Sequence, residues 1–144
     1  MVRKLVILLP VDATWANPDP NVTTARGIEV AEHWDGGPAA ILGWSDGGAA
    51  ALTLAAEGGD LIDRLVLVAV PAPIDGPPPV DLAIVRAKAL LLFGSEDPRT
   101  GSRHGRWWQT HLSNARLEMV PGGGHDLVAA MWARIASFVA ARRG

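Results

Sequence analysis

The chain contains no cysteine, which excludes a disulfide framework and thiolate metal ligation and leaves burial of apolar side chains to hold the fold. Such a composition suits the cytoplasm. It also lacks any apolar run long enough to cross a bilayer. The segment from Met1 to Pro10 is hydrophobic but short and has no cleavage region, so it reads as a first strand rather than a secretory signal. Clustered positive charge is missing too. Thirteen Lys and Arg stand against fifteen Asp and Glu, a formal net charge of -2, and the basic residues are scattered, which argues against a nucleic-acid partner. No His, Asp and Glu spacing matches a metal site, and no internal repeat is present. A length of 144 residues fits one domain, 1–144, with a real core.

What is present is an alternation of short apolar runs with helical stretches. Strands are expected over Arg3 to Leu9, Pro38 to Gly43, Leu61 to Val70, Ala87 to Phe93 and Arg116 to Val120. Helices are expected over Thr23 to Trp34, Gly47 to Glu57, Ser102 to Leu112 and Asp126 to Ala141. About five strands in a βαβ rhythm imply a parallel sheet with right-handed crossovers, an α/β fold.

The most informative motif is Gly43-Trp44-Ser45-Asp46-Gly47-Gly48, placed between an apolar strand and an alanine-rich helix. In that context G-x-S-x-G sets a serine on a tight strand-to-helix turn, with its hydroxyl clear of the sheet and a helix N-terminus behind it. Elsewhere the same string would be a glycine-rich turn with a capping serine. Downstream, the run from Lys88 to Phe93 breaks at Gly94 and is followed by Glu96 and Asp97. Asp97 is the better candidate acid, since Pro98 favours an extended backbone there; its bland alternative is a turn or cap aspartate. After the last strand, Gly122-Gly123-Gly124-His125 places a histidine in a glycine-rich loop before a helix. An imidazole can take the serine proton and later protonate a leaving group, and a carboxylate can orient the ring and stabilise imidazolium. His33, His104 and His111 read as surface or packing residues.

The order Ser45, Asp97, His125 resembles the α/β-hydrolase superfamily, and Gly-Trp-Ser-Asp-Gly-Gly is most similar to the valacyclovir hydrolase (biphenyl hydrolase-like) group of serine esterases. The resemblance covers nearly the whole chain. It implies carboxylic-ester hydrolysis through an acyl-serine, with Ser45 as nucleophile, His125 as base and Asp97 as acid, a small-molecule ester as substrate, and no cofactor. An oxyanion hole would combine the N–H of Asp46 with one from the loop after the first strand. Where family members often carry His-Gly this chain has Pro10-Val11-Asp12, so Val11 or Asp12 is the expected second donor, proline having no N–H. The resemblance also implies an Asp46 carboxylate that pairs with a substrate ammonium, favouring amino-acid esters; the alternative is an aspartate that only complements the helix dipole. Trp15, Trp44 and Leu127 are candidate pocket walls, with core packing as the alternative.

Against the family the chain looks short. It is expected to lack the first two strands, the strand after the first helix, and a cap, in whose place Pro71 to Pro79 forms a stiff extended connection. With the strand from Lys4 to Leu9 at an exposed edge and one sheet face only partly covered, a homodimer is expected. Two other functions share these residues: acyl transfer or perhydrolysis with the same triad, and a degenerate hydrolase fold serving as a binding or scaffold protein.

Overall fold

A computed structural model describes residues 2–141. Six strands, β1 (Arg3–Leu8), β2 (Ile28–Ala31), β3 (Ala39–Trp44), β4 (Ile62–Val68), β5 (Lys88–Gly94) and β6 (Ala115–Val120), form one sheet in the order β2-β1-β3-β4-β5-β6. Every adjacent pair is parallel. Four helices accompany them, α1 (Pro20–Ala25), α2 (Gly48–Gly58), α3 (Gly101–His111) and α4 (Trp132–Ala140).

The strand interiors are apolar at nearly every position because both faces are covered, as in parallel sheets generally. Alternation sorts them. Val6, Ile41, Leu65, Leu67, Leu91 and Phe93 pack toward Leu52 of α2 and Trp108 of α3. Leu5, Leu42, Val66, Leu90 and Leu92 pack toward Trp132, Ile135 and Val139 of α4. Each such side chain, fully buried, stabilises the fold by about 1.5–3 kcal/mol relative to exposure. The two buried indoles also satisfy their polar ends. Trp108 Nε1 donates to the Val70 carbonyl at 2.9 Å, and Trp132 Nε1 donates to Thr23 Oγ1 at 2.9 Å, tying α4 to α1.

Five of the six strands and helices α2 and α3 lie within two residues of their expected bounds. The expected helix from Thr23 to Trp34 does not form. Asp19 caps α1 earlier, its Oδ1 accepting from the Asn21 and Val22 N–H groups at 3.1 and 3.3 Å, with Pro20 at the first helical position. Gly27, at φ +65°, then ends the helix. Beyond it the β-branched Ile28 and Val30, two residues apart, follow a strand period, and β2 pairs with β1 from Arg3↔Ile28 to Val6↔Ala31. The strand after the first helix is therefore present, and β1 is interior.

The face expected to be partly open is covered. Trp15 lies 5.2 Å from Trp132 between ring centroids, and Val22 and Val30 pack on the same cluster. The two structural grounds for a homodimer, an exposed β1 edge and an uncovered face, are thus not met among the described residues. The last helix begins at Trp132 rather than near Asp126, with turns preceding it. From Pro71 to Pro79 there is neither helix nor strand, and the Ala72 N–H near its start donates to His104 Nδ1 at 2.8 Å. No described helix is long and apolar enough to cross a membrane.

The end of β1 sits hard against the start of α2. A Cβ on Gly47 would lie 2.2 Å from the Leu8 carbonyl oxygen and 2.9 Å from Leu9 Cα, and backbone cannot rotate aside as a side chain can. Gly47→Ala is expected to lower stability by about 1–3 kcal/mol, read as a shift in the urea midpoint. Gly76→Ala, with no atom within 4 Å of the new methyl, should stay within about 0.5 kcal/mol of wild type; equal effects would reject this account of Gly47.

Candidate active site

Parallel strands deliver their C-terminal ends to one edge, and three of those ends carry the candidate triad. Ser45 follows β3, Asp97 follows β5 and His125 follows β6. Ser45 adopts φ +53°, the left-handed region, at the head of a single 3-10 turn, Ser45–Gly47, that leads into α2. The flanking glycines allow this turn to fit. A Cβ on Gly43 would stand 2.8 Å from Ala51 Cβ, and one on Gly48 would stand 2.3 Å from Val70 Cγ1.

Ser45 Oγ lies 2.8 Å from His125 Nε2, and His125 Nδ1 lies 2.8 Å from Asp97 Oδ2. Ser45 is 2 % exposed and Asp97 7 %. Burial by itself raises the Asp97 carboxyl; hydrogen bonds from Thr100 Oγ1 at 2.5 Å, from His125 and from the Arg99 N–H at 2.8 Å outweigh it and hold the group below its ordinary value. An ionised Asp97 accepts the Nδ1 proton, and this network assigns the neutral ring a bare Nε2 facing the serine hydroxyl.

The acid and histidine loops hold each other in register. The Glu96 N–H donates to the Gly123 carbonyl at 2.9 Å, and the Gly122 N–H donates to Ser95 Oγ at 2.8 Å. Gly94 is needed where the loops touch, since a Cβ there would lie 2.2 Å from the Gly123 oxygen. Trp44 Nε1 donates to the His125 carbonyl at 3.0 Å, with its ring 5.4 Å from the imidazole. Trp44 thus braces the histidine loop, and with Trp15, Leu9 and Asp126 it also lines a cavity of about 250 Å³. Leu127, by contrast, is buried in the core beneath α4 and is absent from that lining. Val11 and Asp12 are exposed in the turn closed by the Ala13 N–H and the Pro10 carbonyl, past the end of β1.

Two residues at the site escaped sequence reasoning. Thr100 supports the acid, and Arg99 reaches across the serine turn, its Nη1 donating to Ser45 Oγ at 3.0 Å and its Nη2 to Asp46 Oδ1 at 2.5 Å. A cation two positions past the candidate acid was the available signal, but side-chain direction is invisible in spacing. Asp46 therefore holds an ion pair within the chain. The other histidines make no hydrogen bond to Ser45, Asp97 or His125 among the described residues. His33 is exposed, and His111 stacks on Trp107 at 3.8 Å. His104 is pushed below its ordinary value by burial and by Arg103. Among the described residues no three His, Asp or Glu side chains converge as metal ligands.

No family model matches the sequence, and no curated protein matches it. Solved structures do. A CIB-like hydrolase from Thermoplasma acidophilum is 20% identical with a TM-score of 0.76, the match covering 96% of this chain and 86% of that one. Rv0554 from Mycobacterium tuberculosis is 15% identical with a TM-score of 0.77, covering 100% and 92%. A monoacylglycerol lipase from Paleococcus ferrophilus is 13% identical with a TM-score of 0.72, covering 95% and 93%. Likeness at these identities is likeness of architecture, and the six parallel strands with helices on both faces are an α/β-hydrolase fold.

Proposed function

We propose that the protein is a serine hydrolase that cleaves small carboxylic esters through an acyl-serine. The observation that carries this reading is the continuous hydrogen-bonded series Asp97–His125–Ser45, with both links at 2.8 Å, ending on a serine held at positive φ above a helix N-terminus. Structural neighbours named as a monoacylglycerol lipase and as a serine hydrolase involved in carbazole degradation support it, the latter 12% identical with a TM-score of 0.72.

In acylation, Ser45 Oγ bonds to the ester carbonyl carbon as its proton passes to His125 Nε2. The carbonyl oxygen takes the negative charge, for which the Asp46 N–H and an N–H of Val11 or Asp12 are the proposed donors. Asp97 stabilises the imidazolium. The tetrahedral centre collapses, the C–O bond to the alcohol breaks, and His125 returns the proton to the leaving oxygen. Water then repeats the sequence on the acyl-serine, giving the carboxylic acid and restoring the hydroxyl. The cavity between Trp15 and Trp44 is of a size for one short chain of the substrate.

Ser45→Ala and His125→Ala should each lower kcat/KM on a short-chain activated ester by about 10³-fold or more, with Asp97→Asn comparably damaged. A fluorophosphonate probe should label Ser45 in wild type and fail in His125→Ala. Near-wild-type turnover by Ser45→Ala, or an unlabelled wild-type serine, would sink the proposal and favour a binding protein.

Asp97 also makes stability depend on pH. Its folded value lies below its unfolded one, so the stabilisation is fully present above the unfolded value and is lost as pH falls toward the folded one. The advantage of wild type over Asp97→Asn in urea unfolding should therefore be largest near neutrality and shrink below about pH 4. A pH-independent difference would show that the carboxylate charge contributes nothing.

A further inference from the structure

The catalytic cycle leaves the Arg99 guanidinium without a task. Its placement is specified by the chain. The Arg99 N–H is held by Asp97 Oδ1 at 2.8 Å, so one carboxylate orients both the catalytic imidazole and the start of this residue. From there the side chain crosses to the serine turn, where Nη2 is tethered to Asp46 and Nη1 lies 3.0 Å from the nucleophilic oxygen. The arginine side chain is 48 % exposed and that of Asp46 60 %, so the pair stands at the mouth of the site rather than in the core. A guanidinium carries five N–H donors. Among the described residues only these two contacts engage them.

Acylation changes what Nη1 can bond to. As a hydroxyl, Ser45 Oγ gives its proton to His125 and keeps a lone pair for the arginine. As the bridging oxygen of an ester it is a poor acceptor, and the charged N–H beside it loses its partner. A substrate group that supplies a replacement acceptor there is favoured from the tetrahedral stage onward, and the acceptor that fits a planar cation best is a carboxylate. The Asp46 tether keeps the guanidinium over the site while the exchange occurs. The same ion pair disfavours a substrate ammonium, since Asp46 is already engaged and Arg99 would repel the incoming cation.

We infer that Arg99 is a specificity residue for anionic esters, the preferred substrates carrying a carboxylate within about three bonds of the scissile carbonyl, as in half-esters of short dicarboxylic acids. This rests on the serine-hydrolase reading above and deepens it.

Three methyl esters of matched length separate the charge states: monomethyl succinate, the neutral isostere methyl 4-methylpentanoate, and the cationic methyl 4-aminobutanoate, each followed by methanol release. Wild type should favour the anionic ester over the isostere by ten-fold or more in kcat/KM, with the cationic ester poorest. In Arg99→Gln that preference should fall at least ten-fold, and Arg99→Lys should recover part of it. Circular dichroism of each variant checks that it is folded, and Arg99→Lys keeps the test decisive if the glutamine variant is not. Equal loss on all three esters would overturn the inference and leave Arg99 a structural contact. A second readout needs no turnover: calorimetry of succinate binding, at least ten-fold weaker in Arg99→Gln, with butyramide as the neutral control. If no ester is cleaved but succinate binding depends on Arg99, the hydrolase reading fails and the anion site stands. If esters are cleaved and succinate binds both proteins alike, the anion site fails and the hydrolase reading stands.

Discussion

The approach of the β1 carbonyl end to the first turn of α2 governs the rest of the molecule. Gly47 lies so close to Leu8 that no side chain fits between them, and this contact sets the depth at which α2 enters the sheet. From that depth follow the sharp turn at Ser45, the burial of its side chain at the sheet edge, and the nearness of Leu8 and Leu9 to the serine turn. Packing on the other side of α2 makes a matching demand, because Gly48 meets Val70 just past the end of β4. Strand interiors supply most of the stabilisation, through apolar burial on two faces. The glycines convert that stability into position.

Asp97 links this scaffold to the proposed chemistry. A carboxylate so deeply buried is costly unless its oxygens are occupied, and here Thr100, His125 and the Arg99 N–H occupy them. The same three bonds keep it ionised, fix the ring tautomer and aim the following residue. Stability and orientation are thus not separable at this position. The loop pairing between Glu96 and Gly123 and the bond from Trp44 to the His125 carbonyl complete a frame in which neither Asp97 nor His125 depends on its own rotamer preference alone.

Much of this was legible in the sequence because the signals were local. The strands β3, β4 and β5 carry the apolar runs Ala39 to Leu42, Leu65 to Val68 and Ala89 to Phe93, and the glycine-flanked serine, the Gly94 break before Asp97 and the glycine-rich loop before His125 each announce a strand end. The helix expected from Thr23 to Trp34 fails for an equally physical reason. Ile28 and Ala31, three apart, and Val30 and Trp34, four apart, suit helical spacing if Gly27 is passed over, and the positive φ there separates a short capped helix from an edge strand. That one glycine moved β1 into the sheet interior and allowed α1 to reach α4 through Thr23 and Trp132. Arg99 was hidden differently. Its role depends on a side chain spanning two loops far apart in sequence, which no periodicity encodes.

Ser45 is held at φ +53°, a region that costs an L-residue roughly 1–2 kcal/mol and glycine almost nothing. The elbow therefore sets local stability against reactivity. A glycine at this position would relax the backbone and at the same time delete the proposed nucleophile, so the least strained version of this turn is one without the hydroxyl. Random substitution or selection for thermal resistance alone would drift toward it. In a domain whose total stability is modest, the strained serine marks the place where the chain gives up some robustness to keep a hydroxyl facing the imidazole of His125.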